Sequence, residues 1–407
     1  MVSAKELNEG CSCITLDKNQ LRKQLEMRIG EQSLLGLLES RPNLFSGTTV
    51  FLSPEDFQNI SAIINSIEEK IMEEEFQQSL LKAAPEIARA NPGPHGVFMG
   101  YDFHLGEDGP KLIEINTNAG GALLNLELAK AQINCCQTDE LFSEAFTKLN
   151  GMEKKIYEMF LEEWNTQKSN DQLKVIAIVD DKPHEQFLYP EFLLFQKLFS
   201  RFNIKSIVTD PEKLEWKNET LWFEGERIDF VYNRLTDFYL EEETHETLRR
   251  AYESGKVVVS PSPRHHALYA NKRNLTKMKD LPGIPGTEEV TPENAEDFWK
   301  NKKNYFFKPF KGYGSKATYR GDKLTKKVWE EISKGGYIAQ ELVTPGQRVV
   351  SVDGKKTDLK VDVRAYAYKG EIQLLAARLY SGQTTNFRTS GGGFAPVFVF
   401  PSHNESP

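Results

Sequence analysis

The chain has 407 residues, 39% hydrophobic and 27% charged, a composition that fits a globular protein of two or three domains better than one core. With 51 basic and 59 acidic side chains its formal charge is −8, which argues against a general nucleic-acid binder but leaves room for a local anion site. The opening MVSAKELNEGCSC lacks the apolar core of a signal peptide, no run approaches a membrane span, and four cysteines do not make a disulfide scaffold. A reducing cytoplasm is therefore the expected setting.

Residues 1–90 read as mainly helical scaffold. LSPEDFQNISAIINSIEEKIMEE opens with Ser53 as N-cap, Pro54 at the first helical position and acids in the first turn. Cys11 with Cys13, and the adjacent Cys135 and Cys136, have no companion cluster of Cys or His, so incidental thiols outweigh a metal site.

Next, VFMGYDFHL and KLIEINT flank GEDG, and Asp108-Gly109 between alternating apolar residues signals a hairpin. Side chains repeat every two residues on a strand, so Glu114 and Asn116 share a face. With Asp102 on the partner strand they form an oxygen set suited to Mg²⁺, set against the simpler reading of a solvated hairpin face. Helical stretches follow in LLNLELAKAQINCC and MEKKIYEMFLEEWNTQ, and the polar 167–172 segment reads as a linker.

From 173 the pattern is strand–helix–strand. LKVIAIVDD, YPEFLLFQKLFSRF and IKSIVTD form a β-α-β unit with its implied parallel sheet. A hairpin about Glu224-Gly225, a strand ending at Tyr232-Asn233-Arg234, the helix HETLRRAYES and the strand KVVVS complete a small open α/β domain. No GxGxxG follows its first strand, so a dinucleotide site has little support.

From 271 the texture changes again. Lys308 ends the strand NYFFKPF beside Gly312-Tyr313-Gly314-Ser315, a loop whose N–H groups can approach phosphates, although many ordinary turns contain Gly-x-Gly. YIAQELV carries Glu341 on a strand that is either a nucleobase edge or a plain sheet edge. DLKVDVRAYAY and EIQLLAARLY form a second hairpin bearing Arg364 and Arg378, and Arg378 interrupts an apolar run as an anion-holding arginine would.

Taken in order, RIDFVYNR, VVVSPSPRHHALYANKRNL, FFKPFKGYGSK, YIAQELV and DVRAYAYKGEIQLLAAR with TTNFRTSGGG resemble the motif run of the ATP-grasp superfamily, notably glutathione synthetases and ribosomal-protein glutamate ligases. In those families a strand with Asp, then Glu-x-Asn, follows that run. Here nothing similar follows Gly393, and YDFHLGEDGPKLIEINTN stands near the N-terminus instead, which resembles the circular permutation of eukaryotic-type glutathione synthetases. The resemblance covers roughly residues 95–125 and 173–397; the first ninety residues lie outside it.

The resemblance implies an α/β fold with α+β elements. A helical region (1–90), a displaced metal-binding part of the ATP-grasp domain (91–150), a small parallel-sheet domain (173–270) and the nucleotide-binding lid and sheet (271–407) would make up the chain. Lys272 and Lys308 would contact ATP phosphates beneath the Gly312, Gly314, Ser315 loop. The Gln340-Glu341-Leu342-Val343 segment would read adenine through the Glu341 carboxylate and the Val343 backbone. Asp102, Glu114 and Asn116 would hold Mg²⁺, usually two ions, while Arg364, Arg378 and Asn386 would face the transferred phosphate and the reacting carboxylate. Asp181, His184, Asn233 and Arg234 border the cleft in such folds and would touch substrate.

The implied activity is an ATP-dependent carboxylate–amine ligase that works through an acyl phosphate on small-molecule carboxylate and amine substrates, with no nucleic-acid or membrane partner and a homodimer common among similar enzymes. A phosphotransferase and a non-catalytic nucleotide-binding protein are the alternatives. The absence of any Ser-His-Asp or Cys-His set agrees with chemistry that needs charge neutralisation and alignment more than a protein nucleophile.

Overall fold

The computed structural model describes residues 3–400, apart from 12, 31–35, 37, 133–138, 169–170 and 313–316. Cys135, Cys136, Gly314 and Ser315 therefore lie outside the described residues.

A seven-stranded sheet forms the floor of the molecule. Its order runs Val50–Leu52, Gly393–Val399, Glu371–Tyr380, Lys355–Tyr368, Met99–Gly106 and Gly109–Asn116, with Gly346–Val352 also pairing with Lys355–Tyr368. The long Lys355–Tyr368 strand takes Gly346–Val352 along its first half and Met99–Gly106 along its second, both antiparallel. The early hairpin is thus inserted into a sheet otherwise built mainly from the last sixty residues. Its turn is the expected GEDG: Gly106 pairs with Gly109 across Glu107-Asp108, and a φ of 82° lets Gly109 open the second strand.

The period of two divides this sheet chemically. Tyr101, Phe103 and Leu112 point to one face and pack in the same core as Ile60, Ile64 and Ile67 of the Pro54–Met72 helix. That helix has the expected start, with Ser53 accepting from the Asp56 N–H and Pro54 in the first turn. The first ninety residues are not helical throughout, however. Val50–Leu52 runs parallel to Gly393–Val399 as an edge strand, and its three residues are buried.

The opposite face carries Asp102 and His104. At one end it is covered by the Ala122–Lys130 helix, whose Leu123, Leu126 and Leu128 share a core with Tyr366 and Tyr368. At the other end it faces a four-stranded antiparallel sheet ordered Thr287–Glu289, Tyr337–Glu341, Tyr305–Pro309 and Tyr319–Arg320. That second sheet has its own small core of Phe298, Phe307, Ile332 and Ala339.

Residues 175–260 supply the expected parallel sheet, ordered Val258–Ser260, Phe230–Asn233, Val175–Val179 and Lys205–Thr209. The fold is mixed α/β throughout. Among the described residues no helix is long and apolar enough to cross a membrane.

Candidate functional site

A cleft opens between the two sheets, with about 770 Å³ of space counting its mouth. Asp102, His104, Glu114, Asp362, Arg378 and Tyr380 form its floor; Phe306, Lys308 and Gln340 form its roof; Glu341 and Val343 close one side and Gln383, Thr384 and Thr385 another. Alternation explains the roof as it does the floor, since Phe306 and Lys308 face the cleft while Phe307 between them is fully buried in the small core.

Asp102 is the centre of the floor and is 1% exposed. Arg364 donates to its two oxygens from Nε at 2.6 Å and Nη2 at 2.7 Å, and Arg378 Nη2 adds a third bond at 2.7 Å. Burial alone would raise the carboxyl, but the two guanidiniums hold it down at about 2. Arg378 also donates through Nε to Asp362 at 2.7 Å, and the Thr385 hydroxyl donates to the other Asp362 oxygen. Burial works against its charge, yet Asp102 and Asp362 raise the Arg378 pKa well above the usual range.

Glu114 stands opposite Asp102 on the neighbouring strand, and the Asn116 amide donates to both, at 3.1 Å to Asp102 and 3.3 Å to Glu114. Burial opposes the Glu114 charge, but the Lys272 ammonium, 3.7 Å away, and other cations keep its carboxyl below the usual range. Lys272 also donates to the Gly312 carbonyl at 2.9 Å, so it joins Glu114 to the start of the glycine-rich loop. Lys308 reaches down from the roof to the Ile113 carbonyl at 2.8 Å and sideways to Gln340 Oε1 at 2.7 Å. It is buried, and loss of solvent lowers its pKa to about 8.

Gln340 is 2% exposed. Its Oε1 is fixed by Lys308, which leaves Nε2 a buried donor without a partner at the cleft wall. Glu341 turns its carboxylate against the Gly286 N–H at 3.1 Å, where any side chain on Gly286 would collide with it. The Leu342 N–H is taken by Asn304, and the Val343 carbonyl lies 2.9 Å from His104 Nδ1.

Several expected site residues are elsewhere. Asn386 does not line the cleft: its amide donates to the Ser381 and Thr384 carbonyls and accepts from the Arg388 N–H and the Thr389 hydroxyl, so it braces its own loop. Arg364 lies beneath Asp102, toward Gly100 and Ala119. The 181–234 group is outside the cleft as well. Asn233 is buried and holds the Pro261 carbonyl and the Leu235 N–H, and His184 packs edge-on against Tyr189. Asp181 binds His245 at 2.8 Å, and Glu242 brings a third potential ligand atom within 4.8 Å of these two. Arg234 is buried, with Nη1 donating to the Tyr232 hydroxyl at 3.1 Å and Nε without a partner. Burial pushes the nearby Asp180 carboxyl up to about 7, against the pull of Arg234. A side chain on Gly120 would strike the Arg234 guanidinium, and the Gly120 carbonyl accepts from Tyr366, two residues beyond Arg364.

Sequence reasoning missed His104 and Tyr380. Both were legible as residues two beyond Asp102 and Arg378 on the same strand faces. The 383–385 loop left no comparable signal.

No protein-family model matches the chain, and no curated protein matches it. Solved structures do. A glutathione synthetase-like effector (GSS30) from Globodera pallida, in its apo form, superposes with a TM-score of 0.53 at 12% identity over 95% of this chain and 98% of that one. A putative gamma-glutamylcysteine synthetase from Methylobacillus flagellatus KT gives 0.48 at 10% identity, covering 87% and 90%. PsnB, an ATP-grasp ligase solved with a minimal precursor, Mg and ADP, gives 0.29 at 16% identity, covering 55% and 88%. Two sheets facing each other across a cleft lined with charged side chains, and the end-to-end likeness to GSS30, give one conclusion about architecture: the chain has the fold of that glutathione synthetase-like protein.

Proposed function

We propose that the protein is an ATP- and Mg²⁺-dependent carboxylate–amine ligase. The observation that carries this reading is the charge arrangement of the cleft. Lys272, Lys308 and Arg378 line the cleft together with the carboxylates of Asp102, Glu114, Glu341 and Asp362, Arg364 backs Asp102 from beneath, and Gln340 Nε2 waits as a buried donor beside them. Cations on both floor and roof suit a triphosphate, and the facing carboxylates Asp102 and Glu114 suit the metal ion bound with it.

The oxygen donors fit Mg²⁺, which is commonly held by one or two carboxylates plus phosphate oxygens. Glu114 and Asn116 would hold it. Both Asp102 oxygens are engaged by guanidiniums, so Asp102 would fix Arg378 at the cleft floor, with Arg364 behind it, and would lend its charge to the ion's surroundings. The ion, when bound, offsets charge on the transferred phosphoryl group.

Lys308 and Lys272 bind the phosphate chain, with Gly312 opening the loop that closes over it, and Gln340 through Val343 lie along the base. Arg378 meets the γ-phosphate as it passes to the carboxylate substrate, forming an acyl phosphate, and closure of the loops keeps water from it until an amine attacks. Arg234, a buried guanidinium with an unused N–H, is the candidate for the substrate's own carboxylate. We read the early hairpin as the metal-binding strand pair of the fold, displaced by circular permutation.

The test is a screen of amino acids and short peptides for amine-dependent ADP release, with product analysis. Amide formation that is lost in Glu114→Ala supports the ligase. A phosphoester product would make the protein a phosphotransferase, and ATP binding without release under any acceptor would make it a non-catalytic nucleotide binder.

A further inference from the structure

The geometry points to His104 and Tyr380 as the pair that binds the hydroxyls of the nucleotide's sugar, an inference that rests on the nucleotide reading of the cleft. His104 is two residues beyond Asp102 on the same strand face, which sets it roughly 6–7 Å along the floor from the metal-side carboxylate. At its other side, Nδ1 lies 2.9 Å from the Val343 carbonyl, at the edge expected to meet the base. A triphosphate with its phosphates at Lys272, Lys308 and Glu114 and its base near Val343 has its sugar at His104.

The polarity of the ring matches a hydroxyl. A carbonyl only accepts, so Nδ1 carries the proton, and the neutral ring offers Nε2 as an acceptor alone. The Tyr380 hydroxyl lies 3.5 Å from Nε2, at the outer limit of a hydrogen bond. A ligand hydroxyl seated against both, with the Tyr380 hydroxyl moved back from Nε2, donates to Nε2 and accepts from the tyrosine. A phosphate oxygen cannot do this. It has no proton to donate to Nε2, and the Asp362 carboxylate, which lines the same cleft and acts on the His104 ring, repels it.

Titration calorimetry of the full chain with ATP, 2′-deoxy-ATP and 3′-deoxy-ATP in Mg²⁺ tests the assignment. Wild type is expected to bind ATP about tenfold tighter than at least one deoxy analogue, equivalent to about 1.4 kcal/mol and the worth of one hydrogen bond. His104→Asn preserves a donor near Nδ1 but has no acceptor at the Nε2 position, so it should bind ATP about tenfold more weakly and lose the discrimination. Tyr380→Phe should reduce the same preference. Equal wild-type binding of all three nucleotides, or discrimination intact in His104→Asn, would overturn the assignment while leaving the nucleotide site standing. Absence of binding to any of them would overturn both. Because the wild-type comparison uses ligand variants alone, the result does not depend on either substituted protein folding.

Discussion

Asp102 and Arg364 stand opposite each other on neighbouring antiparallel strands, 262 residues apart in the chain, joined by two parallel N–H···O bonds of 2.6 and 2.7 Å. The fork geometry is the strong form of this contact, and with Arg378 on the same carboxylate, Asp102 is the anion that allows two guanidiniums to be buried side by side. Removing it leaves the buried Arg364 without its carboxylate and Arg378 with Asp362 alone. Asp102→Ala is therefore expected to cost about 3–5 kcal/mol in urea unfolding of the ligand-free protein. Glu114→Ala should cost about 1 kcal/mol or less, because its cation partner stands off at 3.7 Å, yet should weaken Mg²⁺-dependent ATP binding by at least about tenfold. Equal stability losses in the two variants would mean that Asp102 is not the structural anion of this pair.

On the nucleotide reading of the cleft, Lys308 gives ligand binding a proton signature. Its pKa falls from 10.5 to about 8 in the folded protein because burial disfavours the charge more than Glu114 and Asp102 restore it. Between pH 8 and 10.5 the unfolded chain holds a proton that the empty folded protein has lost, so this group makes the protein more stable as pH rises through that window. A bound triphosphate favours the ammonium again. ATP binding near pH 8 should therefore take up protons, read as a binding enthalpy that changes with the ionisation enthalpy of the buffer. Lys308→Met should bind ATP at least about tenfold more weakly, with the uptake gone. Uptake that persists in the variant would assign the proton to another group.

Much of the floor was legible in the sequence because a strand writes its two faces in alternate letters. Asp102 and His104 between Tyr101, Phe103 and Leu105, and Arg378 between Ala377 and Leu379, declare a polar face opposite a core face. Partner choice was not legible. Nothing local says that Asp102 meets two arginines rather than a metal ion alone, because that depends on register between strands 262 residues apart. Asn386 misled for a related reason: an amide in a polar loop can meet a ligand or brace its own turn, and only the folded loop distinguishes the two.

That bracing makes Asn386 a test of loop positioning. The loop it organises brings Gln383, Thr384 and Thr385 to the cleft, and Thr385 holds the Asp362 that in turn orients Arg378. Asn386→Ala is expected to lower the rate of ATP turnover by about tenfold while ATP affinity changes by less than about threefold, with the unfolding midpoint almost unmoved. A loss confined to ATP affinity would instead place the amide against the nucleotide.

His245 ties the small parallel-sheet region together through charge. Its ring is fully buried, with Nε2 2.8 Å from Asp181 and Nδ1 2.9 Å from Asp237, residues on the loops that follow the neighbouring strands Val175–Val179 and Phe230–Asn233. Burial opposes the imidazolium, but the bonds to Asp237 and Asp181 prevail and raise its pKa from 6.5 to about 9. The folded value exceeds the unfolded one, so the contribution is complete below pH 6.5 and disappears as pH rises through about 9. Asp181 is 41% exposed, so solvent screens part of the pair and the expected contribution is about 1–3 kcal/mol. Stability measured by urea unfolding should thus separate wild type from His245→Gln most widely at pH 6 and least at pH 9.5. Taking the difference between the two curves removes the opposing trend from Lys308, which both proteins share. Parallel curves across that range would mean that the ring is neutral and that the two loops are joined by uncharged hydrogen bonds.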